Sequence, residues 1–336
     1  MRVLVTGGTG FVGSHSVAAL LSQGHQVRLL VRSRDRVARS LSPLGVADVE
    51  SVVGDVTTPR SVEEAMAGCD AVLHAAAVYE FDPRAAARIR ETNVRAAEIV
   101  LGTAVRMGLD PVVHVSSYAA LVPPQGAVLT PDSPVKQPRG TYCRSKAESE
   151  RVARGYQEQG APVVIIYPGS VIGPDDPYLN DSNRNMVQFA KTGSTMRGGI
   201  PIVDVRDVAK VHAAVMEPDR GPRRYIITGH YIALPDLVAM LHEITGRHGR
   251  IVAMPAGMVM AVGRVANLVQ RFVPGRLPFS YEGIWLSALQ PHCDDSSTAK
   301  ELGITARDLR VTLEDTVRWL ADHGHLSVAG PGRTSI

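Results

Sequence analysis

Cysteines, aromatic residues and excess charge are all scarce in this chain of 336 residues. The three cysteines (Cys69, Cys143 and Cys293) form no Cys-x-x-Cys pair and show no metal-ligand spacing, so we expect free thiols in a reducing compartment. Aromatic residues make up only 5%, which leaves no base-stacking platform, and the net charge of +3 comes from scattered basic residues. These features argue against a nucleic-acid partner.

Long hydrophobic runs are missing as well. The most apolar stretch, residues 251–273, is interrupted by Arg264, Asn267 and Gln270, so it is a poor candidate for a transmembrane segment. We expect it to cover a substrate cleft or the core, with contact to a membrane surface as the alternative. The first predicted strand begins at residue 2 and leaves no room for a signal peptide. The sequence therefore predicts a cytoplasmic protein.

The first half of the chain alternates between strand and helix patterns. Short β-branched runs predict strands over residues 2–6, 26–31, 49–53, 71–75, 112–116 and 163–167. Helices are predicted over residues 11–23, 59–67, 85–107 and 141–159. This order is typical of an α/β fold with a doubly wound parallel sheet (Rossmann type), which binds ligands at the C-terminal ends of its strands.

The pattern loosens in the second half. Residues 168–185 are rich in Pro, Gly, Asp and Asn and are predicted to form a loop. A helix over 205–217 and a strand over 224–228 return to the sheet, and helices near 235–245, 255–272, 278–289 and 311–322 form a smaller, mostly helical lobe. We predict a dinucleotide-binding domain (1–167), a substrate-binding lobe (168–326) with elements at about 200–230 in the sheet, and a frayed tail (327–336).

Three glycines follow the first strand and open the first helix. Gly7 permits the tight turn, Gly10 permits close approach of a pyrophosphate, and Gly13 permits close packing of the helix on the sheet. The N–H groups of the helix N-terminus then face the phosphates. The residues expected to bind the dinucleotide here are Thr6, Gly7, Thr9, Gly10, Phe11, Val12 and Gly13.

The end of the second strand indicates which nicotinamide cofactor is used. A carboxylate expected there would bind both ribose hydroxyls, but the position carries Arg32, with Arg36 close behind. Because a guanidinium matches a 2′-phosphate, we predict NADP(H), with NAD(H) as the alternative. Asp55 and Val56 are expected at the adenine. The small residues of the segment His74, Ala75 and Ala76 would leave room for the cofactor backbone.

A tyrosine and a lysine four residues apart form the second signal. Tyr142 and Lys146 share one face of a helix, and a nearby ammonium lowers the pKa of a phenol, which is about 10 when free. Ser117, at the end of the fifth strand, is placed to bind a substrate carbonyl beside the tyrosine. Ser116 would supply backbone and packing near the nicotinamide. This arrangement is suited to acid–base catalysis of carbonyl reduction.

Taken together, the motifs resemble the extended short-chain dehydrogenase/reductase family, in the NAD-dependent epimerase/dehydratase superfamily. They are Thr6-Gly7-x-x-Gly10-x-x-Gly13, Gly54-Asp55, His74-Ala75-Ala76, Asn93-Val94, Ser116-Ser117, Tyr142-x-x-x-Lys146, Tyr167-Pro168-Gly169-x-Val171-x-Gly173-Pro174, the segment 205–209 and the segment 296–303. Among its members, the chain is most similar to dihydroflavonol-4-reductase-like reductases, which use NADPH to reduce ketones and aldehydes.

The resemblance implies further roles. Asn93 would hold a water or a backbone group in a proton relay to Lys146. Pro168, Gly169, Ser170 and Val171 would flank the nicotinamide carboxamide. The partner is then a small-molecule carbonyl or alcohol, and a homodimer through helices 85–107 and 141–159 is a family expectation.

Other functions stay open at this point. The alternatives are a nucleotide-sugar epimerase, a steroid or sterol dehydrogenase that uses NAD, and a non-catalytic dinucleotide sensor. Tyr79, Tyr178 and Met186 are weaker candidates for the substrate pocket. The acidic pairs at 175–176 and 294–295 lack further ligand spacing, so no metal site is predicted.

Overall fold

Parallel strands rich in valine, leucine and isoleucine form the main sheet. The computed structural model describes residues 1–78, 86–270 and 281–328. Side chains are described for all of these residues except 266–270. The strands are β1 (Arg2–Thr6), β2 (Gln26–Val31), β3 (Glu50–Val53), β4 (Ala71–His74), β5 (Val112–Val115), β6 (Val163–Pro168), β7 (Ser170–Ile172), β8 (Ser194–Met196), β9 (Gly199–Asp204), β10 (Arg223–Ile227), β11 (His230–Ala233) and β12 (Val252–Met254).

Helices follow most of these strands. They are α1 (Phe11–Ser22), α2 (Asp35–Leu41), α3 (Pro59–Met66), α4 (Ala86–Arg106), α5 (Thr141–Glu158), α6 (Asp181–Lys191), α7 (Val205–Ala214), α8 (Leu234–Thr245), α9 (Ala256–Gln270), α10 (Tyr281–Ala288), α11 (Ser296–Leu302) and α12 (Leu309–Asp322). No helix in the described ranges is long and apolar enough to cross a membrane.

The seven-stranded sheet has the order β10-β6-β5-β4-β1-β2-β3, and all of its neighbouring pairs are parallel. The chain starts at β1, moves outward through β2 and β3, and then returns to the other side of β1 with β4. The strand order therefore reverses between β1 and β4, which is where a doubly wound sheet opens a crevice for a ligand. The predicted fold class is confirmed.

Both faces of the sheet are buried because successive side chains of each strand point to opposite faces. On one face, Leu4 and Ile165 pack with residues of α3, α4 and α5. On the other face, Val5 and Ile166 pack with residues of α1 and α7. A third apolar cluster joins α6, α8, α10 and α12 beside a small sheet of order β11-β9-β7.

The sequence predicted the first half better than the second. The predicted loop at 168–185 is wrong, since this segment contains β7 and the start of α6. The short strands β8, β9, β11 and β12 and the short helices α2 and α11 had no prediction, because three to seven residues carry too little periodicity. Parts of three predicted helices and of the tail lie outside the described residues. They are residue 85 of the helix 85–107, residues 271–272 of the helix 255–272, residues 278–280 of the helix 278–289, and residues 329–336.

Candidate active site

A cleft with a volume of about 420 Å³ lies where the strand order reverses, at the C-terminal ends of β1, β4, β5 and β6. Its walls come from both halves of the chain. The lining residues are Gly7, Gly10, Phe11, Val12, Gly13, Ala75, Ala77, Val115, Ser116, Ser117, Tyr118, Ala119, Tyr142, Lys146, Pro168, Gly169, Ser170, Val171, Asp176, Tyr178, Leu179, Asn180, Asp181, Ser182, Arg184 and Leu286.

The glycine turn after β1 is closely packed on the neighbouring backbone. Gly7 has φ +74°, and a Cβ there would lie 2.6 Å from the backbone nitrogen of Ala76. A Cβ on Gly13 would collide with the carbonyl oxygen of Gly7, so α1 begins in contact with the turn. Glycine is therefore required at Gly7 by conformation and by space, and at Gly13 by space alone.

The N-terminus of α1 is suited to a phosphate group. Its N-cap is Gly10, which has no side chain to accept a hydrogen bond from the first turn. The Ser40 hydroxyl donates to the carbonyl oxygen of Thr9 (2.8 Å) and fixes the turn from α2. Exposed N–H groups and the helix dipole at the cleft wall match the pyrophosphate of a dinucleotide.

Tyr142 and Lys146 lie on the first turns of α5 and are both buried, at 7% and 6% exposure. The Lys146 Nζ donates to the carbonyl oxygen of Val115, at the end of β5 (3.0 Å). Burial lowers the pKa of Lys146 to about 8, although the nearby Glu150 carboxylate opposes this shift. The structure thus holds a cation with a perturbed pKa beside a phenol in the same cleft wall.

Two serines follow β5 in the same wall. The Ser117 Oγ accepts a hydrogen bond from the N–H of Ala119 (3.2 Å), which orients the hydroxyl at the start of a short 3-10 turn. The Ser116 Oγ is buried and has no hydrogen-bond partner among the described residues. A buried hydroxyl without a partner in a cleft wall fits a site that binds a polar ligand group.

Asn93 links α5 to the segment after β4. Its Oδ1 accepts from the N–H of Val78 (2.7 Å), and its Nδ2 donates to the Val78 carbonyl oxygen (3.2 Å) and to Ser145 Oγ (3.0 Å). Ser145 in turn donates to the carbonyl oxygen of Tyr142 (2.7 Å). Asn93 therefore holds the cleft wall at residues 75–78 against the turn that carries Tyr142.

A basic, solvent-exposed surface adjoins the cleft at Tyr178. Arg32 is exposed at the end of β2 and helps to lower the pKa of Asp55, although the main cause of that shift is the hydrogen bond from the Thr57 hydroxyl. The guanidinium groups of Arg36 and Arg39 lie over the ring of Tyr178, at 5.6 and 4.8 Å from its centroid. Such contacts are cation–π interactions.

Tyr178 belongs to a loop that crosses the cleft between β7 and α6, and we call residues 173–180 the crossing loop. The buried carboxylate of Asp176 accepts from the N–H of Tyr178 (3.2 Å), the N–H of Asn180 (2.7 Å) and the Asn183 side chain (3.0 Å). Asn183 also bonds both backbone groups of Gly173. These hydrogen bonds fix the backbone of the crossing loop and thereby hold the Tyr178 ring in contact with Arg36 and Arg39 of α2.

Several residues expected at the site do not line the cleft. The Thr6 hydroxyl pairs with the His74 ring (2.7 Å), and His74 stacks on His114 in the sheet interior. Thr6 and His74 do not line the cleft. The other expected residues that do not line it are Thr9, Arg32, Arg36, Asp55, Val56 and Ala76. The assignment of Met186 to the substrate pocket is wrong, because α6 buries it in the lobe core at 2% exposure. Tyr79 lies outside the described residues.

The sequence also missed some lining residues. These are Tyr118, Ala119 and Leu286, together with Asp176, Leu179, Asn180, Asp181, Ser182 and Arg184 around the predicted Tyr178. The spacing Asp176, Asn180 and Asn183 carried a local signal for a hydrogen-bonded turn. In the described residues, no group of three or more His, Cys, Asp or Glu side chains is placed to hold a metal ion.

Comparison with known proteins shows the family. Residues 3–228 match the NAD-dependent epimerase/dehydratase family, which is two thirds of the chain. The chain belongs to this family, whose extended short-chain dehydrogenase/reductase layout agrees with the resemblance found in the motifs. As a member of it, the protein is an NAD(P)-dependent oxidoreductase.

Two relatives are similar over almost their full length. Sterol demethylase protein B from Methylococcus capsulatus is 31% identical, over 96% of this chain and 99% of that protein. A Synechocystis sp. protein described as a dihydroflavonol 4-reductase is also 31% identical, over 96% of this chain and 95% of that protein. Among solved structures, the dTDP-glucose 4,6-dehydratase DesIV from Streptomyces venezuelae, with NAD bound, is 25% identical (TM-score 0.74, 96% and 97% coverage).

Proposed function

We propose that this family member is an NADPH-dependent reductase that acts on a ketone or aldehyde carbonyl through Ser117, Tyr142 and Lys146. The observation that carries the proposal is the arrangement of these side chains in one cleft wall. Tyr142 and Lys146 come from α5 and Ser117 follows β5, and the hydrogen bond between Lys146 and the Val115 carbonyl joins the two elements. The names of the reductase relatives support the same reaction class.

The residues of this chain fit each requirement of carbonyl reduction. A bound reduced nicotinamide would supply the hydride to the carbonyl carbon. The Ser117 hydroxyl, oriented by the N–H of Ala119, donates a hydrogen bond to the carbonyl oxygen. Tyr142 transfers its phenolic proton to that oxygen as negative charge develops there. The ammonium of Lys146 stabilises the phenolate that remains, and burial strengthens this electrostatic contact.

The preference for NADPH rests on the charge at the end of β2. Arg32 is exposed there and has no acidic residue in the adjoining positions 31, 33 or 34. Arg36 and Arg39 add two more cations on the neighbouring helix α2. A 2′-phosphate would enter a field of positive charge, whereas the ribose diol of NADH would find no carboxylate at position 32.

Arginines that are already paired with carboxylates argue for a ketone or aldehyde over a nucleotide-sugar diphosphate, and of these Arg184 lines the cleft. Arg184 is paired with Asp181, and Arg206 forms ion pairs with Asp204 and Asp315 at 2.7 and 2.8 Å. The hydrogen bonds with Asp204 raise the pKa of Arg206. Guanidinium groups already committed to carboxylates would have to break those ion pairs to bind a diphosphate.

The test is a cofactor measurement followed by a substrate panel. Calorimetric titration with NADPH and with NADH gives the two dissociation constants, and we expect NADPH to bind at least about tenfold more tightly. Ketones and aldehydes are then screened by the loss of reduced-nicotinamide absorbance. Tighter binding of NADH, or turnover of a nucleotide sugar with no turnover of any carbonyl in the panel, would contradict the proposal.

A second candidate is a sterol dehydrogenase that uses NAD. Its support is the similarity to sterol demethylase protein B and the apolar side chains exposed on α9, where Met258, Val262 and Val265 are 58%, 65% and 64% exposed. This reaction would use the same three cleft residues in the oxidative direction. Oxidation of a 3-hydroxysterol with NAD, in the absence of ketone reduction with NADPH, would favour it over the first candidate.

A further inference from the structure

The catalytic helix α5 begins without a cap of its own. Its N-cap residue is Gly140, which has no side chain to accept a hydrogen bond, so the first N–H groups of the helix need another partner. The structure supplies one from a distant part of the chain. Glu282, on α10, accepts hydrogen bonds from the N–H groups of Thr141 (2.9 Å), Tyr142 (3.3 Å) and Cys143 (2.7 Å).

Gly140 and Glu282 are fitted to one another. Gly140 has φ +91°, and a Cβ at this position would overlap the carboxyl group of Glu282. Gly140 therefore has no side chain to cap the helix, and the space that a side chain would fill is occupied by the Glu282 carboxylate. Glu282 is 6% exposed, and burial raises its pKa while the three N–H groups oppose that shift. A carboxylate is buried in this way only where several donors compensate its lost hydration.

The helix that carries Glu282 also forms part of the cleft. Leu286, one turn further along α10, lines the cleft, and Trp285 and Leu286 pack in the same apolar cluster as Tyr142 and Cys143. The contact between Glu282 and α5 thus joins the substrate side of the cleft to the turn that carries the phenol.

We propose that Glu282 is a positioning residue for Tyr142, which fixes the first turn of α5 and thereby the direction of the phenol in the cleft. The inference rests on the proposed role of Tyr142 as the proton donor. Glu282 itself does not line the cleft. Its effect reaches the reaction through the backbone of residues 141–143, where a small displacement changes the alignment of the reacting groups.

The test is the Glu282→Gln variant, with Glu243→Gln as the matched control. Glutamine keeps the shape of the side chain, but its NH₂ group faces N–H donors and leaves at least one of them without an acceptor. Glu243 is an exposed carboxylate on α8 that pairs with Arg310 (2.9 Å) and does not contact α5. Both variants replace a glutamate by glutamine, but only Glu282→Gln changes a side chain that contacts α5.

We expect Glu282→Gln to lower kcat about tenfold because the phenol loses its alignment. The KM for NADPH should stay within about twofold, since the glycine turn is untouched. Hydrogen–deuterium exchange should become faster at the amides of residues 141–143, and Glu243→Gln should change neither measurement. An unchanged kcat in Glu282→Gln, or a rise in the KM for NADPH without a fall in kcat, would overturn the proposal.

The exchange measurement separates this inference from the proposed function. If the wild-type protein reduces no carbonyl, the reductase assignment fails, but the amides of residues 141–143 still report whether Glu282 holds the first turn of α5. Faster exchange in Glu282→Gln then supports the positioning contact. Exchange equal to that of the wild type overturns it, whatever the activity of the protein.

Discussion

We call the cleft wall that contains Tyr142 the tyrosine end, and the adjoining surface that contains Arg32 and Arg36, outside the cleft lining, the arginine end; the two are built in opposite ways. At the tyrosine end, Tyr142, Lys146 and Ser117 are all less than a tenth exposed, and Lys146 and Ser117 are hydrogen-bonded to the backbone. At the arginine end, Arg32 and Arg36 are exposed. Charges at the first end are mostly buried and interact in a medium of lower dielectric constant, whereas the exposed charges at the second are screened by solvent and salt.

This difference assigns different tasks to the two ends. A buried, fixed arrangement stabilises charge that develops during a reaction, because its dipoles need no reorganisation. Exposed cations contribute less energy each, but they distinguish ligands that differ by a phosphate. We therefore expect substitutions at the tyrosine end to change kcat, and substitutions at the arginine end to change the choice and affinity of the cofactor.

The largest effect should follow from Tyr142→Phe, which keeps the ring and removes the acidic proton. We expect kcat for ketone reduction to fall by about two to four orders of magnitude, the contribution typical of a general acid. The dissociation constant for NADPH, measured by calorimetry, should stay close to the wild-type value. Turnover at the wild-type rate would remove Tyr142 from the reaction and erase the difference between the two ends.

The pH profile tests the same end without removing the phenol. Because burial lowers the pKa of Lys146 to about 8, the ammonium is present below that pH and is lost as the pH rises through it. The kcat for reduction should therefore be highest below pH 8 and fall by about tenfold per pH unit well above it. In Lys146→Arg the side chain stays charged, so the alkaline limb should move to higher pH, even if the maximum rate is lower. A limb at the same pH in both proteins would show that another group titrates.

The structure brings Tyr142, Lys146 and Ser117 into one cleft, and the sequence could predict this grouping because its signals are local. Tyr142 and Lys146 are four residues apart on one helix, and Ser117 directly follows a buried strand, so the spacing and the strand order bring them to one edge of the sheet. Glu282 lies 140 residues from the N–H of Tyr142 that it binds. No periodicity in the chain relates two such distant positions.

The arginine end was harder to predict for the same reason. Tyr178 was assigned to the substrate pocket because its segment was expected to be an open loop at the mouth of the site. In the structure, the hydrogen bonds of Asp176 shape that segment, and the ring of Tyr178 reaches Arg36 and Arg39 on the other side of the cleft. The assignment of Met186 to the substrate pocket is wrong because α6, a helix that was not predicted, places its side chain in the core of the lobe. Tyr178 does line the cleft, but its contact with α2 and the burial of Met186 both follow from packing between elements distant in sequence.

The next prediction concerns cofactor choice. Arg32→Asp replaces a cation with a carboxylate at the end of β2, so it removes the attraction for a 2′-phosphate and offers an acceptor to the ribose hydroxyls. We expect the ratio of kcat/KM for NADPH to that for NADH to fall by about 10- to 100-fold. The control is Arg34→Asp, since Arg34 is exposed nearby and its guanidinium donates to the Ser51 carbonyl oxygen. Equal shifts in the two variants would indicate a general effect of charge.

The smallest effect should come from Tyr178, whose ring contacts both arginines of α2 across the cleft. Tyr178 is 39% exposed, and cation–π contacts at exposed sites contribute about 0.5–1 kcal/mol, so Tyr178→Ala should raise the KM for NADPH by about two- to fivefold. Tyr178→Phe keeps the aromatic face and should behave like the wild type, because no bond to the hydroxyl is needed for this contact. The kcat should change in neither variant. A fall in kcat in Tyr178→Ala would mean that the crossing loop also orients the reacting groups, and the division of tasks between the two ends would then be less sharp than their burial indicates.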